Sequence, residues 1–162
     1  MKKKIVSAQQ LSAIAKEMRD TGRKLVLTNG CFDLLHAGHV RYLQAARALG
    51  DALAVAINGD ESVRVLKGEG RPINREVDRA EVIAALEVVD YVVIFPEVRA
   101  TQLLEEVRPA IYAKGGDYTP ETLHSEERAV LERIGAEIRI LPFEKGHSTS
   151  TLIEKVKGTS AA

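Results

Sequence analysis

"KLVLTNGCFDLLHAGHVRYLQAARALG" (residues 24–50) decides the fold. It opens on a short apolar run, KLVLT (24–28), whose length suits a strand better than a helix. A polar turn follows, holding His36 and His39, two glycines and Cys31, the one cysteine of the chain. Apolar positions then return at helical spacing over Gly38–Leu49, and Gly50 reads as the stop. Strand, loop and helix in this order make half of a βαβ unit.

The same unit recurs along the chain. ALAVAIN (52–58) is apolar nearly throughout, as expected of a strand covered on both faces. A polar segment, 59–78, is read as a connection, and RAEVIAALEVV (79–89) as a helix. DYVVIF (90–95), AIYAK (110–114) and EIRILP (137–142) are further strands, with helices over Ala100–Val107, Ser125–Ile134 and a last one to about Lys157. Upstream, Ser7 and Gln10 form a capping-box pattern, and Leu11, Ile14 and Met18 repeat at helical spacing, so a first helix is expected over Ser7–Thr21. One helix followed by five βα units predicts an α/β protein with a doubly wound, five-stranded parallel sheet. Without a repeat or linker, residues 1–162 are expected to form one domain, with 1–22 an N-terminal helical extension and GTSAA (158–162) a disordered tail.

Bulk composition narrows the function. Lysine plus arginine equals aspartate plus glutamate, 23 each, which disfavours nucleic acid as a partner. No apolar run approaches the roughly 20 residues of a membrane-spanning helix. The basic start, MKKKIV, has no apolar segment behind it. One cysteine forms no intrachain disulfide, so a cytoplasmic protein is expected.

In doubly wound sheets ligands bind beyond the carboxyl ends of the strands. Three of the four histidines (His36, His39, His147) and five glycines (Gly30, Gly59, Gly115, Gly116, Gly146) fall in those loops. His36 and His39 bracket the first turn of the second helix, where backbone N–H groups and the helix dipole favour an anion, and Gly38 lets the backbone approach it. "GHSTS" (146–150) offers a second such start, with Ser148 or Thr149 as the cap. Lys67, Arg71 and Lys114 are loop cations at the same edge, and the glycines of "KGGDY" (114–118) permit close approach beside Asp117, suited to a sugar hydroxyl or a magnesium ion. Two other readings compete with the phosphate. Zinc could take His36, His39 and Asp33 or Cys31, but no second ligand pair is visible, so no protein-bound metal is expected. Cys31 could be an activated thiol, although a lone cysteine with apolar flanks is more often a small buried hydrophobe. Neither G-x-G-x-x-G after the first strand nor a P-loop is present.

With "GCFDLLHAGH" and "GHSTS" together, the chain resembles the H-x-G-H nucleotidyltransferases, a group that includes cytidylyltransferases and pantetheine-phosphate adenylyltransferase. "AINGDESVRVLKGEGRPI", "AKGGDYTPETL" and "LPFEKGHSTSTLI" are similar to its branch acting on D-glycero-β-D-manno-heptose 1-phosphate in ADP-heptose biosynthesis. The resemblance covers about residues 24–156. It implies strand order 3-2-1-4-5, which sets HAGH opposite KGGDY with GHSTS beside them.

It also implies a reaction. A sugar 1-phosphate attacks the α-phosphorus of ATP in line, pyrophosphate leaves, and Mg2+ accompanies the nucleotide. His36, His39 and Lys67 are the implied catalytic residues. Asn29, Gly30, Phe32, Gly38, Lys114, Gly116, Ser148 and Thr149 are implied on the nucleotide side. Asp33, Asp60, Arg71 and Asp117 are implied on the substrate side, Asp33 also ordering its loop. A homodimer and a separate sugar kinase supplying the 1-phosphate are implied partners; nucleic acid and membrane are not. A cytidylyltransferase acting on glycerol 3-phosphate, and a non-catalytic nucleotide-binding module, remain the alternatives.

Overall fold

The structure, a computed structural model, describes residues 3–116, 119–142 and 149–159. Its elements are α1 (Ala8–Asp20), β1 (Leu25–Gly30), α2 (Ala37–Arg47), β2 (Ala52–Asn58), α3 (Asp60–Lys67), α4 (Glu76–Ala84), β3 (Tyr91–Phe95), α5 (Thr101–Val107), β4 (Ile111–Gly115), α6 (Ser125–Ile134), β5 (Glu137–Leu141) and α7 (Thr149–Thr159), with one 3-10 turn at Pro120–Thr122. The strands form one parallel sheet in the order β3-β2-β1-β4-β5. The reversal lies between β1 and β4, whose pairing sets Val26 against Ile111 and Leu27 against Tyr112. The loops after β1 and β4 therefore open side by side at one edge.

The apolar strands are explained by two covered faces. Leu25, Leu27, Ala54, Ala56, Val93 and Tyr112 face one cluster with α1, α5 and α6, and Val26, Val55, Ile57, Val92, Ile111 and Ala113 face another with α2 and α4. The first helix belongs to the first cluster. Its capping box forms, with Ser7 Oγ accepting from Gln10 N at 3.1 Å and Gln10 Oε1 accepting from Ser7 N at 2.9 Å. Leu11, Ala15 and Met18 are its buried residues, with Ile14 packed at the margin. Ahead of it, Ile5 bridges to Val92, so the extension also lines the free edge of β3.

Three local expectations change. The segment read as a polar connection contains α3 and the first turn of α4. Only Val63 of its three apolar residues is buried, so the helical period is nearly silent, and capping by Gly59 and acids in the first turn supply what signal there is. The helix expected over 79–89 starts earlier, at Glu76, and ends at Ala84. The last helix runs to Thr159, past the expected tail boundary.

Gly50 also has a different role. α2 ends at Arg47 with Ala48 as its cap, three residues ahead of Gly50. A Cβ on Gly50 would stand 2.8 Å from Lys24 O and 2.8 Å from Val26 Cγ2, so a close passage of chain against β1 requires glycine here. Gly50→Ala is expected to destabilise the protein by about 1–3 kcal/mol, read as a shift in the urea midpoint at unchanged slope.

Candidate active site

A cleft of about 450 Å³ opens at the carboxyl end of β1 and β4. β1 delivers Asn29 and Gly30 to it directly, because the strand runs on to Gly30 rather than ending at Thr28. Asn29 Oδ1 accepts a hydrogen bond from Tyr112 OH on the neighbouring strand, and Thr28 Oγ1 bonds to Tyr42 OH at 2.7 Å, with burial holding the phenol up to about 12. The floor of the cleft is thus fixed by polar pairs across the sheet and to α2.

After Gly30 the chain turns sharply. Phe32 takes a left-handed φ of 47°, uncommon for a bulky residue and a mark of a backbone held by its surroundings. Its ring covers Gly30, where a Cβ would meet Phe32 Cε2 at 3.0 Å. Asp33, 3% exposed, holds the turn from beneath: its carboxylate accepts from Ile73 N, Asn74 N and Arg71 Nε at 2.8–2.9 Å. Burial alone would raise this carboxyl, but the two backbone donors and the Arg71 guanidinium outweigh it and lower it.

His36 and His39 lie at the mouth of α2 with rings stacked, centroids 3.9 Å apart. Phe32 sits beside His39 at 5.4 Å. His39 Nδ1 accepts from His36 N at 3.3 Å, which leaves the neutral ring's proton on Nε2. Burial, then the neighbouring His36, lower His39 to about 4. The surroundings of His39 within the protein therefore favour a neutral N–H donor.

The other candidates reach the cleft from separate elements. Lys67 comes from the last turn of α3 and not from a loop, Arg71 from the segment behind it, Lys114 from the end of β4, and Thr149 from the first turn of α7. Thr149 Oγ1 donates to Leu34 O at 3.0 Å, tying α7 to the β1 loop. Gly38 is buried in the first turn of α2. Gly116, at φ 109°, donates its N–H to Leu141 O. Asp60 is off the lining: its Oδ1 accepts from Glu76 N at 2.8 Å and Arg79 Nη2 at 2.9 Å. Asp117 and Ser148 lie outside the described residues. Among the described residues no group of three His, Cys, Asp or Glu side chains stands close enough to hold a metal ion. The Cys31 thiol is raised by burial, the opposite of an activated nucleophile.

Sequence reasoning passed over Arg79, Asn58 and Glu127. Arg79 is fully buried and donates to Cys31 O, Asn58 O, Asn74 O and Asp60 Oδ1 at 2.7–3.0 Å. An arginine on an amphipathic helix reads as solvent-facing, so its role has no sequence signal short of the structure. Asn58 and Glu127 both line the cleft while being nearly closed to outside solvent.

Comparison with known proteins places this geometry. The cytidylyltransferase-like family matches residues 27–155. The bifunctional protein HldE of Geotalea uraniireducens is 49% identical over 154 residues, 95% of this chain and 31% of that protein. HldE of Vibrio parahaemolyticus is 48% identical over 95% of this chain and 32% of its own length. The chain thus spans about a third of the length of these curated relatives. The crystal structure of the lipopolysaccharide core biosynthesis protein from Thermoplasma volcanium superposes with a TM-score of 0.64 at 30% identity, covering 78% of this chain and all of that one.

The histidine pair carries a pH signature. His39 stays neutral in the folded chain where the unfolded chain takes up a proton, so the unfolded state binds more protons and acid favours it. The contribution is fully present above about pH 6.5 and is lost as pH falls toward about 4. His39→Gln is expected to remove about 1–2 kcal/mol of the acid destabilisation across that window, discounted for the solvent that reaches the ring. Parallel urea titrations of the two proteins from pH 7 to pH 4 measure it, and superimposable curves would refute it.

Proposed function

This chain belongs to the cytidylyltransferase-like family, and from that premise we propose that it is an adenylyltransferase joining AMP from ATP to D-glycero-β-D-manno-heptose 1-phosphate, with release of pyrophosphate. One observation carries the proposal: the stacked His36–His39 pair at the α2 mouth faces a cleft that also receives Thr149 from α7 and the cations Lys67, Arg71 and Lys114. That donor set suits a triphosphate, and separate elements supply it from several directions. The relation to a protein of lipopolysaccharide core biosynthesis supports a sugar phosphate as acceptor. So does the likeness of KGGDY and GHSTS to the heptose branch.

In this reaction a phosphate oxygen of the acceptor forms a bond to the α-phosphorus while the bond from that phosphorus to the bridging oxygen of pyrophosphate breaks. Charge accumulates on the α-phosphoryl oxygens and on the leaving group. The protein's part is to align the two phosphates and set fixed donors where that charge appears. His39 Nε2–H is such a donor, held by the bond at Nδ1. Lys67 and Arg71 sit on the segment that Asp33 anchors, so their cations are held over the cleft mouth. Gly30 leaves room for the Phe32 ring to close down on β1, and that ring and Asn29 form the wall against which a base or ribose would lie. Mg2+ carried by the triphosphate would neutralise the departing pyrophosphate, held chiefly by phosphate oxygens and water.

A homodimer, a cytoplasmic location and a sugar kinase as the source of the 1-phosphate complete the proposal. No helix among the described residues is long and apolar enough to cross a membrane.

Pyrophosphate release across ATP, CTP, GTP and UTP, each with the heptose 1-phosphate or glycerol 3-phosphate, tests the reading. ATP with the heptose 1-phosphate is expected to turn over fastest. CTP with glycerol 3-phosphate in its place would reassign both substrates, and no turnover with any pair would reduce the chain to a binding module. In the productive pair, His39→Ala is expected to lower kcat on the order of 10²–10³-fold. A folded variant with normal turnover would remove His39 from catalysis.

A further inference from the structure

α6 presents one inward stripe, Leu123 ahead of it and then Glu127, Val130 and Leu131. Those positions recur at the spacing of a buried helical face, and three of the four are aliphatic residues packed in the core cluster shared with α1 and α5. The fourth is a glutamate only 4% exposed, while its neighbour Glu126 is exposed. Its carboxylate has no hydrogen-bond or ion-pair partner among the described residues. A first-turn acid gains from the helix dipole equally well on the solvent side, as Glu126 does, so the dipole does not account for the burial. Its carboxylate oxygens are not sealed in the core, and a leucine in its place would complete the stripe. What Glu127 has instead is the cleft, which it lines together with Asn29 and Lys114.

We propose that Glu127 is a recognition residue for sugar hydroxyls, accepting hydrogen bonds from a vicinal diol of a bound reactant. The chemistry follows from charge. The phosphates belong where the donors are, at the histidine pair and Thr149, and a carboxylate facing them would repel them. A carboxylate in the same cleft is matched instead by a neutral group rich in O–H donors, and its two oxygens accept two adjacent hydroxyls in charge-assisted bonds. In the reaction proposed above, on which this inference rests, both reactants carry such a diol: the ribose of the nucleotide and the ring of the acceptor sugar.

Equilibrium binding to the full chain separates these sources and does not depend on turnover. ATP, 2′-deoxy-ATP, 3′-deoxy-ATP and the heptose 1-phosphate are titrated, with Mg2+, into the wild type, the isosteric Glu127→Gln variant and Glu127→Leu. If the diol is the ribose, Glu127→Gln binds ATP about 10- to 100-fold more weakly, and the wild-type preference for ATP over its deoxy analogues collapses. If it is the acceptor, the same loss falls on the sugar phosphate and spares ATP. In either case Glu127→Leu raises Tm, because the unpartnered carboxylate is replaced by a residue that fits the stripe. Unchanged affinity for every ligand in Glu127→Gln would overturn the proposal, as would a loss confined to the Mg2+ dependence, which would make Glu127 a cation ligand. Failure of the reaction itself shows separately, as absent pyrophosphate release from the wild type.

Discussion

The site depends on one buried guanidinium. Arg79 of α4 donates to the carbonyls of Cys31, Asn58 and Asn74 and to the carboxylate of Asp60. These four acceptors belong to the β1 loop, the end of β2, the approach to α4 and the start of α3. A charge with no exposed side-chain surface is tolerable only when its donors are matched, and here they hold the loop after β1 and the excursion after β2 at a fixed separation. Asp33 makes the reciprocal connection from the β1 loop, binding Ile73 N, Asn74 N and Arg71. The excursion between β2 and β3 is thereby clamped onto the loop that carries the histidines, and it brings Lys67 and Arg71 with it.

Given that frame, the electrostatics of the cleft take a simple form. Lys67 and Arg71 reach the cleft from the β2–β3 excursion and Lys114 from β4, and the stacked imidazoles, one of them disfavouring a charge, do not form a fixed positive pair. Thr149 fastens α7 to Leu34, so the last helix is registered against the first loop. For the proposed transfer such a site would act by preorganised alignment and polarity, with no nucleophile of its own. The raised Cys31 thiol is consistent with that division, and its carbonyl, not its sulfur, is what Arg79 uses.

Much of the fold was legible because buried parallel strands write themselves as continuous apolar runs, as in ALAVAIN, and because the Ser7–Gln10 box marks a helix start chemically. The strand order was not legible from spacing; it came with the family likeness, and the sheet has it. α3 escaped because a short helix that buries Val63 but exposes Val65 and Leu66 blurs its own period. The gathering of His36, His39 and Thr149 at one cleft was legible from loop position and glycine context, since helix starts after strands gather at one edge of such a sheet. Arg79 was not, because nothing in a sequence distinguishes a buried arginine from a solvated one. Glu127 was half-legible: its place in an apolar stripe is written in the sequence, but its opening onto the cleft is a tertiary fact. Gly50 shows the converse, a residue given a familiar local role whose real constraint is the backbone of Lys24 just ahead of β1.

In the proposed reaction phosphate charge lands on the His36–His39 pair. The most direct measurement is the imidazole titration of each histidine by NMR, in the free protein and with a non-hydrolysable ATP analogue and Mg2+ bound. His39 is expected at about 4 in the free protein, with a clear upward shift when the triphosphate is bound, because nearby negative charge favours the imidazolium. A His39 titration that is the same with and without bound nucleotide would contradict it.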